Sequence, residues 1–168
     1  MGMRSDHQTG TSYGRRGRTP TIPGTGQRFG CNLISAITNR GRLLFMVFKQ
    51  RFTSGVFLTF LRRLVRQVGR TAFLIVDGHP AHRAAVVKRW LAGQSSRLRL
   101  FYLPWYRPKL NPDERLNQDV KSNAVGRRRP ASQREMLANV RGYLRSRQKQ
   151  PHIVRNYFHE ENVRYAAM

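Results

Sequence analysis

Carboxylates are scarce in this chain, so the position of each one is informative. The 168 residues include 8 Asp and Glu against 32 Lys and Arg. Asp77 directly follows the apolar stretch 73–76 and precedes Gly78. Because ligands of open α/β sheets bind at the carboxyl ends of strands, Asp77 is a candidate metal ligand. An Asp that opens a turn or caps a helix explains the same position equally well, and spacing alone does not separate the two.

A second acidic position, Glu114, stands beside Asp113 at the start of a predicted helix. A carboxylate there has an ordinary explanation, because it compensates the helix dipole. The preceding loop favours a more specific role. It contains two prolines and then Asn111-Pro112 at the start of the helix, which fix the direction of the backbone. Rigid placement is what a carboxylate ligand of Mg²⁺ requires, since that ion tolerates little departure from octahedral geometry.

These stretches resemble the DDE transposases, and most of all the bacterial insertion-sequence branch of the mariner superfamily. The segment FLIVDGHPAH contains Asp77 and His82, and YLPWYRPKLNPDERLN contains Glu114. The family pattern has an Asp-Asn that ends a strand, a His five residues after that Asp, and a Leu-Pro-x-Tyr-Ser-Pro-x-Leu-Asn-Pro-x-Glu loop. Two positions depart from it, since Gly78 replaces the Asn and Arg107 replaces the Ser. The segments RSDHQTGTSYGRRGRTP and RSRQKQP also resemble this branch, so the resemblance covers nearly the whole chain.

The resemblance implies a ribonuclease H-like fold, a mixed sheet flanked by helices, and metal-dependent cleavage and transfer of DNA strands. Asp77 and Glu114 would be the catalytic carboxylates and would bind Mg²⁺ or Mn²⁺ in a two-metal site. Two cations about 4 Å apart can activate the attacking hydroxyl and stabilise the leaving oxygen. His82, Asn111 and Pro112 would support the motif. For His82 we favour a hydrogen bond to backbone or carboxylate over metal ligation.

One catalytic residue of the family has no match. The first catalytic Asp of the pattern would fall just before Met1, so we expect the first strand to be missing and the isolated chain to be inactive. Asp6 is the only acidic residue among the first 76 and matches a non-catalytic position. The helix-turn-helix by which the family recognises terminal repeats also has no counterpart. A non-catalytic, basic nucleic-acid-binding protein is therefore the alternative hypothesis.

The formal net charge of +24 indicates a polyanionic partner, with nucleic acid as the first candidate and an anionic membrane surface as the second. Three basic groups are predicted to contact phosphates, mostly without sequence specificity. They are a helical stripe with Arg62 and Arg66, a cluster of Arg127, Arg128 and Arg129, and a second stripe with Arg141 and Arg145. We expect DNA as the partner, allow for a homodimer, and expect neither a membrane nor a small-molecule substrate.

Other classes of protein are excluded by composition and segment length. The longest apolar stretches, 43–48 and 72–76, are too short to span a bilayer. The first thirty residues are polar and Gly-rich, unlike a signal peptide. A single cysteine, Cys31, excludes a disulfide framework and a cysteine-based zinc site. These features predict a cytoplasmic protein.

The elements that would position the site form one α/β domain over residues 1–168. The periodicity predicts an irregular basic region over 1–30, strands over 31–38 and 43–48, a helix over 55–67, a strand over 73–76 buried on both faces, a helix over 81–91, a strand over 98–103, a helix over 111–121 and a basic amphipathic helix within 131–150. Ser132 and Glu135 predict a capping box at the start of the last helix.

Overall fold

The computed structural model of the chain describes residues 1–6, 14, 16–18, 27–104, 110–126 and 130–167. Its strands are β1 (Gly2–Arg4), β2 (Gly30–Ile37), β3 (Leu43–Phe48), β4 (Ala72–Val76) and β5 (Leu98–Tyr102). Its α-helices are α1 (Ser54–Val68), α2 (Ala85–Ala92), α3 (Asp113–Val120), α4 (Gln133–Gln148) and α5 (Pro151–Asn156). Shorter turns are the 3₁₀ turns Pro80–Arg83 and Glu161–Ala166 and the π-helical turn Lys121–Gly126. The predicted cluster Arg127, Arg128 and Arg129 lies outside the described residues.

Strands β1, β2 and β3 form an antiparallel sheet in that order. Met3 pairs with Cys31, and Ile34 pairs with Met46. The prediction of irregular structure across 1–30 is wrong at Gly2–Arg4, because buried Met3 anchors a short strand against β2. A short strand is therefore present where the sequence predicted none.

Strands β4 and β5 form a separate parallel pair, in which Val76 lies opposite Tyr102. A mixed sheet contains both parallel and antiparallel neighbours, and the described strands show both. They form two separate hydrogen-bonded sheets, however, one of β1, β2 and β3 and one of β4 and β5. The expectation that residues 73–76 are buried on both faces is wrong. Phe73 is 65% exposed and Ile75 is 47% exposed, because helices α1 and α2 pack on the opposite face of this pair.

The described residues pack into two apolar cores on either side of the three-stranded sheet. One core joins that sheet to α3, α4 and α5 through fully buried Leu33, Leu116, Met136, Leu144 and Val154. The other joins α1 to α2, β4 and β5 through fully buried residues that include Phe57 and Leu61. Each such side chain stabilises the fold by about 1.5–3 kcal/mol relative to leaving it exposed.

Polar side chains cap the starts of the two long helices, α1 and α4. The hydroxyl of Thr53 accepts a hydrogen bond from Val56 N at the start of α1, and Gly69 ends that helix with a φ of 68°. At α4, the Ser132 hydroxyl accepts from Glu135 N, and the Glu135 carboxylate accepts from Ala131 N at 2.6 Å. The first bond is the one that the predicted capping box requires, whereas Glu135 accepts from the residue before the N-cap and not from Ser132 N.

Two other helices differ from their predictions. The helix predicted over 81–91 is interrupted, because Ala84 has an extended backbone with a ψ of 144° between the 3₁₀ turn and α2. The helix predicted over 111–121 begins at Asp113 and continues into the π-helical turn. Among the described residues, no helix is long and apolar enough to cross a membrane.

Candidate active site

Asp77 lies at the carboxyl end of β4, and hydrogen bonds hold one of its oxygens. Its Oδ1 accepts from the backbone N–H of His79 at 3.0 Å and lies 2.9 Å from His82 Nδ1. The hydrogen bond from His82 is the main cause that lowers the pKa of Asp77 to about 2, and the bond from His79 adds to it while burial opposes it. The carboxylate is therefore ionised at neutral pH, and its side chain is 60% exposed.

The 3₁₀ turn Pro80–Arg83 places His82 beneath Asp77. The His82 ring is buried and lies 4.4 Å from the ring of Phe57 and 5.4 Å from that of Phe52, centroid to centroid. Its Nδ1 also lies 3.2 Å from the carbonyl oxygen of Asp77. His82 thus makes the hydrogen bonds to carboxylate and backbone that the sequence analysis favoured, and its packing fixes the direction from which it meets Asp77.

Asn111 and Pro112 shape the first turn of α3, which carries the other predicted carboxylate. Asn111 Oδ1 accepts from Asp113 N at 3.1 Å, and its carbonyl oxygen accepts from Glu114 N at 3.0 Å. Pro112 precedes the helix with a φ of −62°, which suits a helical start. The exposed Glu114 accepts from Asn117 Nδ2 at 3.3 Å, so its carboxylate is held near the helix start.

Asp113 points inward, toward strand β2. Its Oδ2 accepts a hydrogen bond from Ser35 Oγ at 2.8 Å, whereas its buried Oδ1 has no hydrogen-bond partner among the described residues. Burial raises the pKa of Asp113 to about 6; the hydrogen bond from Ser35 opposes this, and the charges of Glu114 and Asp77 add to the rise. The charges of Asp77 and Glu114 therefore both lie within electrostatic reach of Asp113.

The amino group of Met1 lies just before β1. Met1 N donates to Leu33 O at 2.8 Å, and burial lowers the pKa of that amino group, while the charges of Asp113, Glu114 and Asp77 raise it. The charges at the end of β4 and at the start of α3 therefore reach the start of β1. Within the described ranges, no group of three or more His, Cys, Asp and Glu side chains could hold a metal ion.

Sequence reasoning missed Ser35 and the inward role of Asp113. The sequence could have indicated Asp113, because it is one of only 8 acidic residues and adjoins Glu114. Ser35 is indicated only weakly, as a polar residue within an apolar strand.

The predicted phosphate-binding residues that the structure describes lie on two helices. Arg62 and Arg66 are exposed on α1, and Arg141 and Arg145 are exposed on α4, beside β3.

The DDE superfamily endonuclease family matches residues 1–137, so the chain belongs to that family. A curated relative is the insertion element IS630 uncharacterized 39 kDa protein of Shigella sonnei. It is 30% identical over 94 residues, which are 55% of this chain and 27% of the relative.

Two solved structures have the same fold. The Mos1 mariner paired end complex with Mn has a TM-score of 0.64 at 15% identity, covering 99% of this chain and 54% of that chain. The Mos1 strand transfer complex has a TM-score of 0.61 at 18% identity, covering 96% of this chain and 50% of that one. The expected ribonuclease H-like fold is thereby confirmed. The chain spans about half the length of these structures and about a quarter of the curated relative.

Proposed function

We propose that this chain acts as a transposase catalytic domain, in which Asp77 and Glu114 serve metal-dependent cleavage and transfer of DNA strands. The observation that carries the proposal is membership of the DDE superfamily endonuclease family, whose match over residues 1–137 contains both carboxylates. The charges of Asp77 and Glu114 also both act on Asp113, from the end of β4 and the start of α3. DNA as the substrate is further supported by the net charge of +24.

A divalent cation fits the chemistry of these two side chains. Mg²⁺ and Mn²⁺ prefer oxygen ligands, and Mg²⁺ is commonly bound by one or two protein carboxylates together with water and substrate phosphates. Asp77 is ionised and more than half exposed, and Glu114 is exposed. A Mos1 structure with the same fold is a complex with Mn. Asp77 and Glu114 would hold Mg²⁺ or Mn²⁺, which supplies charge stabilisation and an activated hydroxyl when bound.

The other residues of the site act by positioning. His82 donates to Asp77, which keeps one oxygen in a fixed direction and leaves the other oxygen for a ligand. Asn111 holds the first turn of α3 and with it the backbone of Glu114. The hydrogen bond from Ser35 to Asp113 joins that turn to β2. Such positioning can lower the activation free energy by several kcal/mol, because the reacting groups are already oriented before the reaction begins.

The family pattern has one more catalytic acid besides Asp77 and Glu114, and cleavage should depend on it. By the resemblance it would precede Met1, and the Met1 amino group lies within the electrostatic reach of Asp77, Asp113 and Glu114. An acid placed just upstream of Met1 would therefore lie beside this group. We infer that cleavage requires an acid at this position, so a chain extended upstream by an acidic pair should cleave DNA more strongly than residues 1–168 alone.

The test is plasmid nicking in Mg²⁺ and in Mn²⁺ by the chain as given and by the extended chain. We expect Asp77→Asn and Glu114→Gln each to abolish nicking by the extended chain, whereas Asp6→Asn, at the non-catalytic acid, leaves it unchanged. In the same samples, millimolar metal should raise Tm, and Asp77→Asn should remove that rise. Nicking that survives both substitutions, or a Tm that does not respond to metal, would contradict the proposal.

A second candidate is a basic nucleic-acid-binding protein without catalysis. The net charge of +24 and the exposed arginines of α1 and α4 favour it. Salt-sensitive DNA binding without nicking by the extended chain would support this second function instead.

A further inference from the structure

A cleft of about 320 Å³ follows the outer edge of β3, between helices α1 and α4. We name it the β3 cleft. Residues 45–47 of β3 form its floor, Arg63 and Gln67 of α1 line one wall, and Arg141, Arg145 and Gln148 of α4 line the other. Helix α1 packs on the side of Met46, whereas α4 contacts β3 from the opposite face, so the cleft wraps around the strand edge.

The charges of the β3 cleft are all positive and uncompensated. Among the residues that the structure describes, the guanidinium groups of Arg63, Arg141 and Arg145 form no ion pair and no hydrogen bond, and the cleft lining contains no Asp or Glu. Other arginines differ in this respect, since Arg147 pairs with Asp119 at 2.8 Å. Three unpaired guanidinium groups around one cleft attract anions, and their fork of donors matches phosphate oxygens.

Sequence periodicity did not join these residues. It grouped Arg62 with Arg66 on one helix and Arg141 with Arg145 on another, as separate stripes. In the structure, the half-buried Arg63 is the basic residue of α1 that lines the same cleft as Arg141 and Arg145.

The β3 cleft is separate from the candidate active site. Strand β3 and strand β1 are the two edges of the antiparallel sheet. Since neighbouring strands lie about 4.8 Å apart, the floor of the cleft is about 10 Å from β1. None of Asp77, Asp113 and Glu114 lines the cleft, although Asp113 reaches Ser35 on β2, the strand beside β3.

We propose that the β3 cleft binds the phosphate backbone of a nucleic acid at a second position, outside the candidate active site. A nucleic acid fits better than an acidic protein segment because guanidinium forks bind phosphate oxygens in pairs and the whole chain carries a charge of +24. This site would hold the nucleic acid independently of any metal.

The experiment measures binding of the full chain to a labelled DNA duplex by fluorescence anisotropy, over a series of NaCl concentrations in EDTA. The cleft variant is Arg63→Gln/Arg141→Gln/Arg145→Gln. The matched variant, Lys88→Gln/Arg89→Gln/Arg99→Gln, removes the same three charges from exposed positions on α2 and β5. We expect the cleft variant to bind at least about 10-fold more weakly and to lose roughly 3 units of the slope of log K against log salt, because each phosphate contact contributes about 0.9. The matched variant should lose less than about 1 unit.

Equal weakening by the two triple variants would overturn the proposal, because total charge would then explain the binding. A polyglutamate peptide that competes as strongly as DNA of equal charge, and only with intact cleft arginines, would also overturn it in favour of an acidic protein partner. If the triple variant does not fold, Arg141→Gln and Arg145→Gln are measured singly, each with an expected loss of about 1 unit of slope. Because EDTA removes divalent metal, this result does not depend on nicking or on the proposed catalytic function.

Discussion

Two aspartates of the candidate site have opposite electrostatics although the charge of one reaches the other. The pKa of Asp77 is lowered to about 2, chiefly by the hydrogen bond from His82, whereas burial raises the pKa of Asp113 to about 6. Pairs of acids whose environments separate their pKa values have different roles. Asp77 is the fully ionised and accessible group suited to a cation, while Asp113 is turned inward and serves to fasten α3 to β2.

The hydrogen bond between Ser35 and Asp113 can be tested by substitution. Ser35→Ala removes the donor of a carboxylate whose other oxygen already has no partner among the described residues. We expect a loss of about 1–3 kcal/mol in the free energy of unfolding, measured by urea denaturation at pH 7. Ser35→Thr keeps the hydroxyl and should restore most of the loss.

A double-mutant cycle separates this bond from general packing. In the Asp113→Asn background the buried group is neutral, so Ser35→Ala should cost less than in the unaltered chain. Additive effects of the two substitutions would show that Ser35 does not stabilise the chain through Asp113.

Among the helices, Asp119 is the residue that joins three consecutive elements. From α3 it accepts hydrogen bonds from Arg147 Nε and Tyr143 Oη of α4, at 2.8 and 2.7 Å, and from Tyr157 Oη after α5, at 2.6 Å. Burial raises the pKa of Asp119, but the hydrogen bonds from Arg147, Tyr157 and Tyr143 together lower it further, below its ordinary value of 3.8. The ionised carboxylate therefore stabilises the packing of α3, α4 and α5.

The pH dependence of this contribution has a defined sign. Because the folded pKa of Asp119 is below the unfolded one, its stabilisation is complete above the unfolded value of 3.8 and is lost as the pH falls through the folded value. Asp119→Asn should cost about 3 kcal/mol at pH 7, since Arg147 and Asp119 are each largely buried. The difference in unfolding free energy between the two chains should shrink below about pH 4.

Denaturant unfolding of the unaltered chain and of Asp119→Asn, at pH values from about 7 to below about 4, measures this difference in unfolding free energy. Asp6→Asn is the control, because Asp6 pairs with Arg4 at the surface and its removal should change stability little. A cost of Asp119→Asn that stays constant down to the acid limit would contradict a role for its charge.

Elements that are marked by a local sequence pattern were predicted from the sequence. Features that depend on contacts between distant residues were not. The strand Leu43–Phe48 and helix α4 follow from an apolar run and a capping box. Strand β1 was missed because three residues give no periodicity and its partner lies at Gly30–Asn32. The exposure of Phe73 was missed because the sequence does not state which face of a strand a helix covers.

The residues of the candidate site likewise include some that local sequence patterns predict and others that only long-range contacts reveal. Asp77 and Glu114 were predicted because each follows a local pattern, a strand end and a proline-rich loop. The bond between Ser35 and Asp113 joins residues 78 positions apart, so no window of sequence contains it. The meeting of Arg63 with Arg141 and Arg145 likewise depends on the packing of two helices against β3.

For the whole molecule, the imbalance of charge opposes the compact state. With 32 basic and 8 acidic side chains, most arginines have no acid to pair with, and their mutual repulsion is greater in the folded chain than in the unfolded one. Burial of the two apolar cores outweighs this repulsion. Stability should therefore depend on ionic strength more than in a protein of balanced charge.

We expect Tm to rise by several degrees between about 0.1 M and about 1 M NaCl, because the Debye length falls from about 10 Å to about 3 Å. A gain of about 1–2 kcal/mol corresponds to roughly 2–8 °C for a chain of this size. The variant Arg63→Gln/Arg141→Gln/Arg145→Gln should melt higher than the unaltered chain at low salt and gain less from added salt, since it removes three unpaired charges that face one cleft. Differential scanning calorimetry measures both effects. A Tm that falls with salt, or that responds equally in the two chains, would mean that repulsion within the β3 cleft contributes nothing to the stability of the fold.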